Sequence, residues 1–201
     1  MRKSRRVVFH IKWYLKKDKN CPLYGITFNP MMQVKFSIFI FLPQFKEVAM
    51  HQNQHIVSVS PVQVQDYQQW LAYWLAYQEF YQVQLSEQTT LKTWARFFDQ
   101  NIKVHAAVAR ENDQILGFVH YVFHDSTWAI NEYCYLEDLF VAPEARGKQV
   151  AKQLIEYVQQ QAQSRQCARL YWHTQESNLT AQRLYDWVAE KPGVIEYRMP
   201  L

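Results

Sequence analysis

From Met50 onward, apolar and polar positions alternate with two regular periods. Ile56, Val57 and Val59 predict a first strand, ended by Pro61. Over residues 64–82, Tyr67, Trp70, Leu71, Trp74, Tyr77, Gln78 and Tyr81 recur at three- and four-residue steps and predict a helix with a mostly aromatic stripe. Such a stripe can line a substrate pocket, but core-facing packing is the favoured reading. A second helix, 87–99, groups Leu91, Trp94, Ala95 and Phe98 on one side. Two strands, 103–109 and 115–123, flank the polar turn Glu111, Asn112, Asp113 and Gln114, and so form a hairpin. A third strand, 133–141, holds the adjacent acids Glu137 and Asp138 in apolar surroundings. Pro143 stops it, and a helix follows over 148–164 with Val150, Ala151, Leu154, Ile155, Val158 and Ala162 on one face. A strand at 168–173, a helix at 179–189 and a last strand at 194–198 complete the order, which is that of a mixed α/β sheet flanked by helices.

Charge divides the chain at the same boundary. Residues 1–49 carry ten Lys and Arg against only Asp18 and Glu47, whereas residues 50–201 carry twelve against sixteen. Two segments are therefore expected: a basic N-terminal extension, 1–49, outside the native domain, and a domain of 50–201. Arg2, Lys3, Arg5 and Arg6 resemble the start of a signal peptide, but Lys12, Lys16 and Lys17 interrupt the apolar run that a cleavable signal needs. The best apolar run, 36–42, is far short of the roughly 20 residues that span a bilayer. Cys21, Cys134 and Cys167 are odd in number and have no CxxC pairing or ligand spacing. That pattern predicts buried thiols in a reduced, cytoplasmic compartment and no metal site.

Chemistry is expected at the junction of the third strand and the helix after it. Val141, Ala142 and Pro143 lead through Arg146, Gly147 and Lys148 into the helix start, so free backbone N–H groups, the positive end of the helix dipole and two cations converge. A pyrophosphate suits such a place. Neither GxxxxGK[ST] nor GxGxxG is present, because Gly147 stands alone.

The run Leu136, Glu137, Asp138, Leu139, Phe140, Val141, followed by Pro143, Arg146, Gly147, Lys148, Val150 and Ala151, resembles the acetyl-CoA motif of the GNAT N-acetyltransferases, [RQ]xxGx[GA]. Asn178, Ala181 and Tyr185 resemble that family's later segment, and the likeness extends over residues 56–200. The wording is nearest to the branch that includes a histone acetyltransferase and a D-amino-acid acetyltransferase, and polyamine acetyltransferases share the LED-type strand. The resemblance implies the GNAT fold and direct transfer from acetyl-CoA to a primary amine, with no metal and no covalent enzyme intermediate. It implies a cofactor site made of Leu139, Phe140, Val141, Arg146, Gly147, Lys148, Gln149, Val150, Ala151 and Asn178. Gln149 stands where the motif has its central glycine, which removes backbone freedom and requires its side chain to turn away from the ligand.

An ammonium cannot attack a thioester, so a base must take its proton and an acid must meet the departing thiolate. Glu137 is the candidate base and Asp138 the structural neighbour, although either acid is equally able to hydrogen-bond a nearby loop. Tyr185 is the candidate acid. At helical spacing alone it would read as a core aromatic, and the resemblance gives it the catalytic role. Asn178 would bond the pantetheine arm, and the backbone of Leu139 and Val141 would receive that arm as an added strand. His173 reads as structural, and His105, His120 and His124 have no partner identifiable from sequence.

The alternative is a non-catalytic acyl-CoA-binding regulatory domain on the same fold. Nucleic-acid binding by residues 1–49 rests on charge alone and ranks below both. The expected partners are an amine acceptor and a second copy of the chain in a homodimer, with no membrane.

Overall fold

The computed structural model describes residues 57–201, so the extension of residues 1–49, with Cys21, lies outside the described residues. The strands β1 (Ser58–Pro61), β2 (Val104–Glu111), β3 (Gln114–His124), β4 (Tyr133–Val141) and β5 (Arg169–Tyr171) lie in the order β1-β2-β3-β4-β5. All neighbours are antiparallel except β4 and β5, which are parallel. Helices α1 (Tyr67–Phe80) and α2 (Glu87–Arg96) follow β1, α3 (Val150–Ser164) joins β4 to β5, and α4 (Leu179–Val188) follows β5. This is the mixed sheet flanked by helices that the periodicity predicts.

The two faces of the sheet have different cores. Trp70 and Trp74 of α1 pack with Val108, Ile115, Phe118 and Phe140, and Trp94 and Phe97 close against them. The aromatic stripe is thus a core face, and Trp70 is fully buried. On the opposite face Val150, Leu154, Ile155, Val158 and Ala162 of α3 cover Ala107, Val119, Tyr121, Cys134 and Leu136, with Leu184, Tyr185 and Val188 of α4 at the margin. α1 begins on an anchored turn. Asp66 accepts from the Gln63 backbone and from both terminal nitrogens of Arg110 on β2. That carboxylate is almost wholly buried, and stripping a partner from such a pair typically costs about 3–5 kcal/mol.

Several boundaries differ from the periodic reading. Pro61 is the last residue of β1 and not the one after it, because β1 is an edge strand and proline needs to donate no ladder bond there. The expected helix at 64–82 begins as a single 3-10 turn, Val64–Asp66, before α1. In the hairpin, Glu111 pairs with Gln114, and Asn112 takes the left-handed conformation at φ 54° that so short a loop requires. The expected strand at 194–198 does not form. Val194, Ile195 and Tyr197 are exposed and unpaired, since alternation alone supplies neither a ladder partner nor a face to cover.

Gly117 lets β3 and β4 meet closely. A Cβ at this position would stand 2.4 Å from the Phe140 carbonyl oxygen, a backbone atom that cannot swing aside. Gly117→Ala is expected to cost on the order of 1–3 kcal/mol, seen as a lower midpoint in chemical denaturation. An unchanged midpoint would mean that β4 shifts freely.

Candidate active site

β4 contains one residue more than its neighbour requires. His120 of β3 pairs with Asp138 and Tyr121 pairs with Leu136, so Glu137 has no partner and forms a β-bulge. A bulge bends its strand and increases the local twist. Just before it the parallel pairing with β5 ends, at Tyr135 and Tyr171. From there to Val141 the β5 side of β4 is an open edge. This shortens β5 to three residues, against the six expected.

The backbone groups on that edge can be assigned. The Ala142 N–H donates to Leu116 O at 2.9 Å, and the Phe140 carbonyl lies against Gly117, so residues 140 and 142 turn their backbone toward β3. Strand alternation then turns the N–H and C=O of Leu139 and Val141 toward the gap. Phe140, by contrast, sends its side chain into the core.

The gap leads to the start of α3. A 3-10 turn, Pro143–Ala145, is followed by Arg146 in extended conformation, Gly147 at φ 79° and Gln149 at φ 61°. Gln149 is the N-cap of α3, which is why the helix begins at Val150 rather than at 148. The amides of Gly147, Gln149, Val150, Ala151 and Lys152 meet no backbone carbonyl among the described residues, as expected for a helix start. The departure foreseen at Gln149 thus has a definite form. It keeps the left-handed backbone a glycine would adopt, at a strain of about 1–2 kcal/mol. A hollow of about 380 Å³ beside this loop is lined by Val57, Glu111, Lys148 and Gln153. Another, of about 370 Å³, lies between α3 and α4 around Lys152, Trp172 and Trp187, and includes neither β4 acid.

Beyond the bulge the two acids differ. Glu137 is exposed as a residue, yet desolvation of its carboxyl is the main cause that raises its pKa. The Asp138 charge adds to the rise, while Arg96 and, in its protonated form only, His120 oppose it. Asp138 is mostly covered, and its Oδ2 lies 2.9 Å from Nδ1 of His120. The other ring nitrogen of His120, Nε2, accepts from Trp70 Nε1 at 2.9 Å. Across the helix layer, burial and then the Asp138 charge raise the Tyr77 phenol, and Tyr77 stacks obliquely on Tyr81 at 4.9 Å between centroids.

On α4, Tyr185 is half-buried, edge-on to Trp172 at 5.4 Å. Burial, and secondarily Tyr81, push its phenol up to about 12. Asn178 caps this helix, its side-chain oxygen accepting from Ala181 N at 3.2 Å. Only its amide NH₂ therefore remains to donate elsewhere. The structure places Leu139, Val141, Gly147, Gln149 and Val150 along one strand-to-helix path, and Glu137 and Asp138 on the bulge beside it.

His120 is the site residue that sequence reasoning missed. Its signal was a lone polar residue in the apolar run from Gly117 to Phe123, and only the β3/β4 register reveals its partner. His173 Nδ1 lies 3.3 Å from Tyr135 Oη, and its ring stands beside Tyr171 at 5.9 Å between centroids. Among the described residues no cluster of His, Cys, Asp and Glu suits a metal ion, and no helix is long and apolar enough to cross a membrane.

Comparison with known proteins places the chain in a family. The chain is 34% identical over 148 residues to D-amino-acid N-acetyltransferase HPA3 of Saccharomyces cerevisiae, covering 73% of this chain and 91% of that one. It is 29% identical over 89 residues to the thialysine N-epsilon-acetyltransferase of Caenorhabditis elegans, 44% of this chain and 55% of the other. In fold it is similar to ribosomal-protein-alanine N-acetyltransferase from Brucella melitensis, with TM-score 0.62 and 18% identity over 73% of this chain and 100% of that one. AAC(6')-Iy, solved with a CoA-linked bisubstrate analogue, gives TM-score 0.62 and 19% identity over 73% of this chain and 99% of that one. Residues 67–187 match the acetyltransferase (GNAT) family, and the chain belongs to that family as an N-acetyltransferase using acetyl-CoA.

Proposed function

We propose that the path from the β4 gap to the start of α3 binds acetyl-CoA and that the amine acceptor meets it at the β4 bulge. One observation carries this reading: β4 and β5 part beside the bulge, and the strand edge so opened leads directly to a helix start with five unpaired amides. A pyrophosphate fits that helix start, with Arg146 and Lys148 as counter-charges. An amide-bearing arm fits the open edge, where Leu139 and Val141 offer backbone groups as a sheet offers them to an added strand. Acetyl-CoA supplies the activated acyl group; the chain supplies position and proton handling.

Glu137 takes the ammonium proton. Burial and the Asp138 charge raise its pKa, which makes it a better base than an ordinary glutamate. Tyr185 donates to the sulfur. With its phenol pushed up to about 12, above a thiol at about 8.5, complete proton transfer is uphill, so Tyr185 acts chiefly as a hydrogen-bond donor. The acceptor is a primary amine such as a small amine, an amino acid, a polyamine or a protein lysine. HPA3 and the thialysine enzyme favour a free amino acid.

We further assign the domain to residues 50–201, with 1–49 as a basic extension, a homodimeric state and a cytoplasmic location. Cys134 and Cys167 are free thiols, and burial pushes Cys134 up to about 12, which suits a reducing compartment. Exposed Val194, Ile195, Tyr197 and Met199 provide apolar surface for a second copy to cover. Sedimentation of the full chain, and of one begun at Met50, tests the dimer and the boundary. A monomer, or an unfolded short chain, would refute the corresponding assignment.

At Gly147 an added Cβ would meet nothing within 4 Å, so any effect of substitution must come through its φ of 79°. Gly147→Val is expected to weaken acetyl-CoA binding by roughly tenfold, from strain of about 1–2 kcal/mol, with the circular dichroism spectrum unchanged. Equal affinity by calorimetry would move the cofactor path elsewhere.

Tyr185→Phe keeps the ring and removes the donor. Acetyl-CoA binding should persist while kcat falls by about 100-fold, the lower end of the range for acid catalysis. A wild-type kcat with chemistry rate-limiting would return Tyr185 to a packing role.

The acidic limb of kcat/KM should follow Glu137. Activity falls as pH drops through its raised pKa, because the protonated carboxyl cannot accept the amine proton. Glu137→Gln should abolish this limb and lower kcat/KM by on the order of 100-fold. Retention of the limb in that variant would assign the base elsewhere.

A further inference from the structure

His120 is buried in the sheet, 2% exposed, between Phe118 at 4.5 Å, Phe97 at 4.8 Å and Trp74 at 5.2 Å. Its two nitrogens are spoken for in different ways. The Trp70 indole is only a donor, so the Nε2 it reaches at 2.9 Å must present a lone pair. The single ring proton then sits on Nδ1, facing Asp138 Oδ2 at 2.9 Å. Protonation of Nε2 would break the Trp70 bond and leave a buried indole N–H without a partner. Trp70 therefore selects the neutral tautomer that donates to Asp138.

We propose that His120 is a positioning residue for acetyl transfer: pinned by Trp70 as a neutral ring, it fixes Asp138 as an uncancelled carboxylate beside Glu137. This rests on the reading of Glu137 as the base. The groups that face the two acids from each packed element are consistent with it. From β3 comes neutral His120, from α1 the Tyr77 phenol, and from α2 Arg96, whose charge is felt at Glu137. Two neutral donors stabilise the Asp138 anion without neutralising it, so its field acts in full on the adjacent carboxyl and makes Glu137 more basic. A protonated His120 would do the reverse, since a cation there lowers the Glu137 pKa.

Trp70→Phe keeps an aromatic ring in the core but frees Nε2 to take a proton. The acidic limb of kcat/KM should move to lower pH by about half a unit to one unit, the direction expected when positive charge approaches a carboxyl. His120→Asn retains an N–H near the Nδ1 position, to donate to Asp138, but cannot become charged. In that background Trp70→Phe should no longer move the limb. A packing effect of Trp70 would persist in the double variant, and that persistence would overturn the proposal, as would an unmoved limb in Trp70→Phe alone.

A second measurement needs no turnover. Long-range ¹H–¹⁵N spectra of the wild-type chain at neutral pH should show His120 as the neutral Nδ1–H tautomer. An Nε2–H tautomer or a doubly protonated ring overturns the proposal, even if Trp70→Phe fails to fold. If the wild-type chain acetylated no amine, the N-acetyltransferase reading would fall, while the ring spectrum would still decide the state of His120.

Discussion

One extra residue in β4 organises everything that makes this domain more than a packed sheet. Because Glu137 has no partner on β3, the strand bends there, and its parallel partner β5 continues with it no further than Tyr135. The bulge also places two successive acids together, where regular alternation would send them to opposite faces. An open backbone edge, a pair of coupled carboxylates and access to the start of α3 thus share a single irregularity. The close contact at Gly117 holds the far end of the strand in register, so that the bend remains local.

The polar groups around the bulge are arranged as a graded series. Trp70, His120 and Asp138 form a connected chain, each at 2.9 Å from the next, and Tyr77, packed on Tyr81, borders its Asp138 end. A half-satisfied network in a low-dielectric core would be costly. Here every nitrogen of His120 is used, and the chain ends on a carboxylate that still reaches the surface. Strain is confined to the other side of the site, where Gln149 occupies a left-handed conformation that glycine would adopt freely.

How much of this was legible beforehand depended on whether the information is local. Both core faces followed from spacing: Trp70 and Trp74 on α1, and Val150 through Ala162 on α3, lie where three- and four-residue steps put them. The succession of strand, turn and helix start around Pro143–Lys148 was likewise readable, since it needs only neighbouring residues. The bulge was not, because it exists only in the register between β3 and β4. The His120 partners were hidden for the same reason, one of them 50 positions away on a helix. The unformed strand at 194–198 is the converse error, in which a local pattern was read as pairing that requires a neighbour.

The free edges of the sheet have one more consequence. Among the described residues β1 has four residues and ends in Pro61, and β5 has three, so neither outer edge offers there a row of donors and acceptors long enough to recruit a foreign strand. The long unpaired row, from Glu137 to Val141, begins where the pairing with β5 ends at Tyr135. Neighbouring strands stand about 4.8 Å apart, so at the last pair, Tyr135 and Tyr171, the opening has closed to that spacing. On the proposed reading, a slender, unbranched chain with amide groups along its length seats there, while a bulky or branched one is stopped by the backbone itself. Selection by thickness would then precede any selection by side chains.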